Sequence, residues 1–381
     1  MIIYHFHGGF YMYYHFTDIS RSITALTSSI LSHYGISPVN PTLPDADRIL
    51  QSAPRNIVLI LLDGLGYSIL TRHLPEDSFL RRRLFKTLSS VFPPTTAAAA
   101  TALESGLYPS QSGWLGWSIY WPPLNKNIAL YPNTDDAGAP AAPFHVGRTM
   151  LKTPSFLKQV QEFAHIPSFS VSAKGDLPAA TLDELTAHIK AVTNRPGPHL
   201  IYAYLNEPDH TLHKEGCRSE NVHLFLQKAD HEFWQLAADC PDTLFLLTAD
   251  HGFTDVDGIC LEDAPALMKT LVRPPSIEPR ALNFFLRPGT EEAFLQSFTR
   301  LTENTYILYT KKEALSRNLF GPGPVHPQLT EMLGDYLAVA TTPLTLFPNR
   351  SYMNSMIATH GGMTPEELTV PFICWRSDIV S

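Results

Sequence analysis

The stretch Asn56-Ile57-Val58-Leu59-Ile60-Leu61-Leu62-Asp63-Gly64 decides the fold. Its six consecutive apolar residues are too few for a buried helix of ordinary length, and several are β-branched. The run stops at Asp63-Gly64, a pair of residues typical of turns. This pattern predicts a strand that is buried on both faces, as in the centre of a parallel sheet.

Five further segments have the same short, apolar character, and helical patterns at 181–193 and 219–238 lie between some of them. Strands that alternate with helices at this spacing predict an α/β fold. We therefore expect a mostly parallel central sheet with helices on both faces. The five further predicted strands are 168–173, 199–205, 243–248, 336–340 and 368–375.

The chain divides into three parts on the basis of its pattern. A helix is predicted at 19–34, before a proline-rich linker. A later stretch of mixed pattern separates two predicted strands, and such insertions at strand ends commonly select substrates. The predicted parts are an N-terminal helical segment and linker (1–50), a metal-binding catalytic α/β core (51–255 and 343–381) and an inserted cap subdomain (256–342).

Composition excludes several classes of protein. The chain has 381 residues, of which 44% are hydrophobic and 17% charged, as in a globular protein with a sizeable core. Its net charge of −8 argues against a nucleic acid polymer as partner, because binding to phosphate backbones needs a concentrated basic face. No apolar run is long enough to span a membrane. The oligomeric state is left open.

The cysteines and the N-terminus suggest a location. Four scattered cysteines without a CxxC pair are typical of free thiols in a reducing compartment. Residues 1–16 lack the basic and apolar regions of a signal peptide, and Met12 is a second candidate start. We expect a cytoplasmic protein.

Candidate metal ligands follow three of the predicted strands. Asp63 follows the first strand, Asp209 follows 199–205, and Asp250-His251 follows 243–248. The carboxyl ends of parallel strands meet at one edge of a sheet, where ligands bind. Carboxylates gathered there repel one another unless cations lie between them. Asp63 alone could simply cap a helix. The occurrence of candidate ligands after several strands, however, indicates a metal site.

Two histidines complete the candidate ligand set. His213 lies four residues after Asp209, so that one helical turn places both side chains on the same side. His360 precedes two glycines, which allow close approach of the backbone. Imidazole and carboxylate ligands without thiolate suit zinc or a similar metal. His210 is interpreted as an exposed residue or one that supports a ligand.

A helix N-terminus carries the candidate nucleophile. The segment Phe92-Pro93-Pro94-Thr95-Thr96 leads into an alanine run, and Gly106 is a natural helix stop. Thr95 or Thr96 therefore lies at the helix N-terminus, where free amides and the helix dipole favour an anion. Either threonine could merely cap the helix. As a nucleophile, its hydroxyl would be activated by metal coordination.

Together these motifs resemble those of the type I phosphodiesterase/nucleotide pyrophosphatase family in the alkaline phosphatase superfamily. The resemblance covers about residues 55–130, 200–255 and 355–375. It rests on the following motifs: Leu62-Asp63-Gly64, Phe92-Pro93-x-x-Thr96, Ser105-Gly106-Leu107-Tyr108-Pro109, Asp209-x-x-x-His213, Thr248-Ala249-Asp250-His251-Gly252, and His360-Gly361-Gly362 with Val370-Pro371.

The resemblance implies an alkaline phosphatase-like fold and two divalent metal ions, with zinc favoured and manganese as the alternative. It selects Thr96 over Thr95 as the nucleophile. It also implies a phospho-threonine intermediate and a small-molecule phosphate ester as substrate, with nucleotides among the candidates. By family pattern, one ion is bound by Asp209, His213 and His360, and the other by Asp63, Asp250, His251 and the Thr96 hydroxyl.

One position departs from the family pattern. Where eukaryotic-type nucleotide pyrophosphatases carry an asparagine that holds a phosphate oxygen, this chain has Trp117. No arginine occurs between Leu84 and Gly147, so a guanidinium clamp typical of phosphomonoesterases is not evident there, which favours diesters. Trp117 belongs to a tryptophan cluster that could stack a base, line an apolar leaving-group pocket or pack in the core. The other members are Trp114 and Trp121.

Three alternatives to a phosphodiesterase or pyrophosphatase remain. The same scaffold could support a phosphomonoesterase or a phosphonate hydrolase. A catalytically idle metal-binding protein is a further alternative, but all seven expected positions are intact. A sulfatase is disfavoured, because the nucleophile position is threonine rather than the cysteine or serine that is converted to formylglycine.

Overall fold

The computed structural model describes residues 17–377 and, for the backbone alone, Ile2–Ile3 and Tyr13–Tyr14. The rest of the first sixteen residues lies outside the described residues. The predictions made for that segment, namely the absence of a signal peptide and Met12 as a second candidate start, therefore stay predictions. Within residues 17–377 no helix combines the length and apolar character that a membrane crossing requires.

The strands are numbered in chain order. They are β1 (Ile2–Ile3), β2 (Tyr13–Tyr14), β3 (Asn56–Leu62), β4 (Leu84–Ser89), β5 (Ser118–Trp121), β6 (Lys126–Ala129), β7 (Thr134–Asp135), β8 (Ser168–Ser172), β9 (Leu177–Pro178), β10 (His199–Leu205), β11 (Thr243–Thr248), β12 (Thr254–Asp255), β13 (Asp257–Cys260), β14 (Ser276–Glu278), β15 (Ala281–Phe284), β16 (Tyr306–Thr310), β17 (Tyr336–Ala340), β18 (Leu344–Phe347), β19 (Ala358–Thr359) and β20 (Thr369–Arg376).

The α-helices are numbered in the same way, and short 3₁₀ turns are left unnumbered. They are α1 (Ile23–His33), α2 (Pro44–Leu50), α3 (Tyr67–His73), α4 (Phe79–Arg82), α5 (Thr96–Ser105), α6 (Pro109–Ser112), α7 (Val146–Met150), α8 (Phe156–Phe163), α9 (Leu182–Thr193), α10 (Asp209–Glu215), α11 (Glu220–Asp239), α12 (Pro265–Met268), α13 (Glu291–Thr302), α14 (Lys311–Ser316), α15 (Leu329–Met332), α16 (Arg350–Ser355) and α17 (Pro365–Leu368).

The central sheet has seven strands among the described residues, in the order β4-β20-β11-β3-β10-β8-β9. Strand β3 lies in the middle, parallel to β10 on one side and to β11 on the other. All its residues are buried. Because successive side chains of a strand point to opposite faces, protein covers the sheet on both sides here. The predicted central strand is therefore confirmed.

The prediction of a mostly parallel sheet needs refinement, because the sheet is mixed. The last strand, β20, runs antiparallel to both β11 and β4, whereas β3, β8, β9, β10 and β11 are mutually parallel. The predicted segment 336–340 is indeed a strand, β17, but it pairs antiparallel with β15 and β16 outside the central sheet. An apolar run does not specify which sheet it joins.

A second seven-stranded sheet of the described residues has the order β16-β17-β15-β14-β5-β6-β7. It combines strands from two distant parts of the chain, because β14 pairs with β5 through Ile277 and Ser118. The boundaries 256–342 for a cap subdomain stay a prediction. This sheet brings β14 close to the N-terminus of α5, where Thr95 contacts Glu278.

Candidate metal centre

The predicted ligands meet at the carboxyl edge of the central sheet. Asp63 follows β3, and its carbonyl oxygen accepts a hydrogen bond from the backbone N–H of Asp209, at the start of α10 (3.0 Å). Asp250 follows β11, and its Oδ1 accepts from the N–H groups of Gly64 (3.1 Å) and His251 (3.0 Å). The loops after three neighbouring parallel strands are therefore tied to one another by hydrogen bonds from backbone N–H groups.

Glycines allow the loops after β3 and β11 to touch. A Cβ atom on Gly66 would lie 2.4 Å from the Cα of Gly252, and one on Gly252 would lie 1.9 Å from the carbonyl oxygen of Glu366. No side chain fits at either distance. The Asp-His-Gly motif thus needs its glycine for backbone packing behind the ligands.

Backbone contacts orient all three histidines in the same way. The Nδ1 atoms of His213, His251 and His360 lie 2.9, 3.2 and 3.1 Å from the carbonyl oxygens of Ala358, Gly252 and Pro94 respectively. A carbonyl oxygen only accepts, so each Nδ1 carries the proton and donates. Each Nε2 then presents a lone pair to the site, which is the arrangement found in histidines that bind metals.

The Nε2 atom of His251 lies among oxygens that also present lone pairs. It is 3.3 Å from Oδ1 of Asp63, 3.4 Å from Oδ2 of Asp250 and 3.2 Å from the hydroxyl of Thr96. His251 and Asp250 are fully buried, and Asp63 is 1% exposed. Such atoms repel one another in a dry environment unless a proton or a cation lies between them.

Asp209 lies between the two predicted groups of ligands. Its Oδ1 is 3.4 Å from Nε2 of His213, 3.7 Å from Nε2 of His360 and 4.0 Å from Nε2 of His251. Asp209, His213 and His360 each offer an atom within 4.8 Å of the others, and so do Asp63, Asp209 and His251. Asp209 is thus close to both groups, and the division of ligands between two ions stays a prediction.

The residues fit divalent cations by a test internal to the structure. Oδ1 of Asp209 and Oδ2 of Asp250 are buried and have no hydrogen-bond partner, which is costly for a carboxylate. Burial and the charge of Asp63 raise the pKa of Asp250 well above its usual value. Burial opposes the protonation of His251, but Asp250 and Asp63 raise its pKa to about 10. The site therefore attracts positive charge.

Thr96 is the first residue of α5, and its hydroxyl lies at the edge of this cluster. The hydroxyl is 3.4 Å from Oδ1 of Asp63 and 3.2 Å from Nε2 of His251. Thr95 makes no side-chain cap; its hydroxyl instead donates to Oε1 of Glu278 (2.7 Å). The structure thus separates two adjacent threonines, since Thr96 faces the ligands and Thr95 faces away from them.

Sequence reasoning missed two residues that contact this machinery. The hydroxyl of Tyr204 donates to Oδ2 of Asp63 (2.6 Å), which leaves Oδ1 facing the site. Glu278 is buried, accepts from Thr95 and from the backbone N–H of Trp117 (2.8 Å), and has its pKa raised by burial to about 7. The signals available in the sequence were two polar side chains within strands, Tyr204 in β10 and Glu278 in β14.

A buried ion pair supports the loop that carries His360. Arg280 donates to both carboxylate oxygens of Glu367, at 2.6 and 2.8 Å, and neither residue is exposed. Glu367 also accepts from the N–H of Gly362 (2.7 Å), two residues after His360. The pair joins the second sheet to the ligand loop, and neither residue was identified from the sequence.

The three tryptophans of the predicted cluster have different environments. Trp114 and Trp121 are buried, and the indole of Trp114 donates to the carbonyl oxygen of Leu151 (2.9 Å). Trp117 is 45% exposed and contacts Tyr131 edge to face, with ring centroids 5.7 Å apart. His210 is also exposed, and its Nε2 lies 2.8 Å from Nζ of Lys214.

Comparison with protein families identifies the class of protein. Residues 57–285 match the family model described as type I phosphodiesterase / nucleotide pyrophosphatase, and this range is more than half of the chain. The chain belongs to this family, whose members are metal-dependent hydrolases of phosphate esters. The resemblance inferred from the motifs is therefore confirmed. No curated protein sequence matched the chain.

Solved structures share the fold at low sequence identity. Murine ectonucleotide pyrophosphatase/phosphodiesterase 5 superposes with a TM-score of 0.62 and 16% identity, covering 83% of this chain and 87% of that one. An inactive threonine-to-alanine variant of that protein in complex with AMP gives 0.63, with 16% identity and coverage of 84% and 88%. Phosphonoacetate hydrolase from Sinorhizobium meliloti, in complex with phosphonoformate, gives 0.60, with 17% identity and coverage of 85% and 90%.

Proposed function

We propose that this chain is a two-metal phosphodiesterase or nucleotide pyrophosphatase in which Thr96 attacks phosphorus and forms a phospho-threonine intermediate. One observation carries this proposal. The Thr96 hydroxyl lies at the N-terminus of α5, within 3.4 Å of both Oδ1 of Asp63 and Nε2 of His251. A hydroxyl in that position reaches the ligand cluster and the positive end of a helix dipole together.

Zinc is the proposed metal and manganese the alternative, because the predicted ligand set is three imidazoles and three carboxylates without thiolate. Bound ions would activate the attacking groups and neutralise charge on the phosphoryl oxygens. The proposed ligands are Asp209, His213 and His360 for one ion, and Asp63, Asp250, His251 and the Thr96 hydroxyl for the other. The unpartnered carboxylate oxygens of Asp209 and Asp250 support this set.

The residues of the chain position the reacting groups. The hydroxyl of Thr96 lies beside Oδ1 of Asp63, which is held by Tyr204, so Oγ1 is positioned for attack and its proton passes to solvent as it bonds to phosphorus. The free N–H groups at the start of α5 receive the phosphoryl oxygens. The ester P–O bond breaks, and the leaving oxygen takes a proton from solvent and departs as the alcohol. Water then attacks the phospho-threonine and loses a proton, the bond from Thr96 Oγ1 to phosphorus breaks, Oγ1 regains a proton, and the phosphate monoester is released.

Diesters are the proposed substrates because the surroundings provide little charge for a monoester. Trp117 replaces the asparagine that holds a phosphate oxygen in nucleotide pyrophosphatases, and its backbone N–H donates to Glu278 instead. A monoester dianion carries one more negative charge than a diester, and no arginine from the segment 85–146 is there to compensate it. Because Trp117 stands where the asparagine is expected, the type of substrate is not fixed by the family pattern, and phosphonate hydrolysis is a second candidate. Phosphonoacetate hydrolase shares the fold.

Substitution of Thr96 tests the proposal directly. Thr96→Ala should abolish hydrolysis of bis-p-nitrophenyl phosphate by the zinc-loaded protein, because no other hydroxyl replaces it, while metal analysis still finds two ions per chain. Thr96→Ser is the matched control and should retain measurable turnover. Undiminished turnover in Thr96→Ala would exclude the proposed nucleophile. Hydrolysis of phosphonoacetate but of no diester would favour the second candidate.

We also propose a cytoplasmic location. All four cysteines are free thiols, three of them buried, and burial raises the pKa of Cys217 and Cys240, which keeps them protonated. Free thiols persist in a reducing compartment. Fractionation of cells that produce the tagged protein would test this proposal, and recovery from an oxidising compartment would contradict it.

A further inference from the structure

Thr95 occupies the N-cap position of α5 without capping the helix. Its backbone is extended, with φ −140° and ψ 146°, as in an ordinary N-cap residue. A threonine in that position commonly accepts a hydrogen bond from the N–H of the second or third helical residue, which here are Ala97 and Ala98. The Thr95 hydroxyl instead donates to Oε1 of Glu278 in β14 (2.7 Å). The side chain that would cap α5 is therefore held by a residue 183 positions away in the sequence.

Two N–H groups in the first turn of α5 are free. The N–H groups of Ala98 and Ala99 donate to the carbonyl oxygen of Thr95, at 3.0 and 2.8 Å. Those of Thr96 and Ala97 have no acceptor in the part of the chain that the structure describes. Ala97 is fully buried, and an unpaired N–H in such a residue is costly unless another group accepts from it. Because Thr96 is the proposed nucleophile, the acceptor expected beside it is an oxygen of the phosphoryl group.

A strained residue precedes Glu278. Ile277 has φ +81°, a conformation that a β-branched residue rarely adopts. Such conformations persist only where the surrounding structure enforces them, and they are common at functional sites. Ile277 is also the residue through which β14 pairs with β5, at Ser118. Glu278 therefore projects from a point of the backbone that is held firmly against β5.

Three groups enclose the side chain of Glu278. Its Oε1 accepts from the Thr95 hydroxyl and from the N–H of Trp117 (2.8 Å), and the residue is 6% exposed. A Cβ atom on Gly361 would lie 3.2 Å from the Cβ of Glu278 and 3.3 Å from its Cγ. Gly361 has φ +110° and follows His360, so the loop of a predicted ligand packs against Glu278 at a glycine. These contacts hold the carboxylate in one place, as is required of a group that positions another.

We propose that Glu278 is a positioning residue, which holds the Thr95 hydroxyl away from the N-terminus of α5 so that the Ala97 N–H, beside that of Thr96, stays available to a phosphoryl oxygen. This inference rests on the proposed function. Donors that are already oriented towards the charge of the transition state lower the barrier most. A cap oxygen on the Ala97 N–H would compete with the phosphoryl oxygen for the same donor. Glu278 therefore acts through Thr95 and needs no contact with the substrate.

The test measures hydrolysis of bis-p-nitrophenyl phosphate by variants of the zinc-loaded full chain. Glu278→Met frees the Thr95 hydroxyl to cap α5. We expect kcat/KM to fall by about tenfold or more, mainly through kcat, because a donor to the transition state is lost. Adding Thr95→Val removes the capping hydroxyl, so the double variant should return to the kcat/KM of Thr95→Val alone. Both variants lose the bond from the Trp117 N–H, so the difference between them reports the Thr95 hydroxyl.

Further variants serve as controls. Glu278→Gln keeps an oxygen that accepts from Thr95 and should retain most of the turnover. Glu292→Gln should match wild type, because its side chain accepts from Gln296 within α13. Glu278→Leu, alone and with Thr95→Val, repeats the pair with a side chain of another shape, so that a packing fault of one replacement does not decide the result.

A crystal structure of Glu278→Met gives a readout that is independent of turnover. The Thr95 hydroxyl should lie within hydrogen-bond distance of the Ala97 N–H in this variant, whereas it should stay on Glu278 in the wild-type protein. A Thr95 hydroxyl that remains away from the helix N-terminus in Glu278→Met would overturn the inference, even if turnover falls.

The kinetic outcomes separate this inference from the proposed function. Turnover of the diester by wild type, together with an equally active Glu278→Met, would overturn the inference alone. So would a double variant as impaired as Glu278→Met, since Glu278 would then act independently of Thr95. Loss of turnover in Glu278→Gln as large as that in Glu278→Met would do the same, since the charge would then be what matters. Failure of the wild-type protein to hydrolyse any diester would overturn the proposed function, and the inference with it.

Discussion

Two buried polar clusters meet at the loop that carries His360, and they differ in how their charges are paired. In the ion pair of Arg280 with Glu367, both carboxylate oxygens accept from the guanidinium and from further donors. In the candidate metal centre, by contrast, Asp209 and Asp250 each keep a buried oxygen without a partner. A buried cluster whose hydrogen bonds are complete supports structure, and one whose bonds are incomplete indicates a missing ligand.

Among the substitutions that test this comparison, Asp209→Asn is expected to have the largest effect on activity. Asp209→Asn removes the charge that lies close to both groups of ligands, and it should lower diester turnover by at least about 10⁴-fold, equivalent to about 5 kcal/mol. In protein stripped of metal, Asp250→Asn should raise the melting temperature, because burial and the charge of Asp63 raise the pKa of Asp250 and so disfavour its ionised form in the folded protein. Steady-state kinetics and calorimetry with and without chelator measure both effects. A lower melting temperature in metal-free Asp250→Asn would contradict the comparison.

The opposite pattern is expected for the complete cluster. Glu367→Gln should destabilise the protein by about 3–5 kcal/mol whether or not metal is present, because it leaves Arg280 buried without its counter-charge. Chemical unfolding with and without chelator gives this value. The double variant Arg280→Met with Glu367→Gln is the control and should recover part of the loss. A Glu367→Gln effect that vanishes on metal removal would place the pair in the metal centre instead.

A smaller effect is expected where the metal centre has a supporting hydrogen bond. Tyr204→Phe removes the donor to Oδ2 of Asp63 and should weaken metal affinity or turnover by about 10–100-fold, as for other residues that orient metal ligands. Competition with a chromogenic chelator measures the affinity. Tyr120→Phe is the control and should not change it. Equal affinities in Tyr204→Phe and wild type would remove Tyr204 from the supporting set.

The smallest effect is expected at Thr95, next to the proposed nucleophile. Thr95→Val removes one hydrogen bond to Glu278, which should cost about 1 kcal/mol of stability, and it should leave more than about a tenth of diester turnover. Thermal unfolding and steady-state kinetics measure these quantities. Loss of turnover as large as that of Thr96→Ala would show that the two threonines are not functionally separate.

The sequence predicts those parts of the site that local patterns encode. Asp63, Asp209 and Asp250 each follow a short apolar strand, and that position was enough to place them at one edge of the sheet. The N-terminus of α5 at Thr96 followed from prolines before an alanine run. Such features depend on residues within a few positions of one another.

Long-range contacts account for what the sequence did not reveal. Glu278 meets Thr95 across 183 residues, and Arg280 meets Glu367 across 87. Strand patterns also leave direction and partner open, so the antiparallel course of β20 could not be foreseen. The placement of 336–340 in the second sheet has the same cause.

The most direct test of the two-metal account is diffraction at the zinc absorption edge from crystals of the zinc-loaded protein. The account predicts two anomalous peaks at the carboxyl edge of the central sheet. One peak should lie beside Asp209, His213 and His360, and the other beside Asp63, Asp250, His251 and the Thr96 hydroxyl. A single peak, or zinc bound away from these residues at full occupancy, would contradict it.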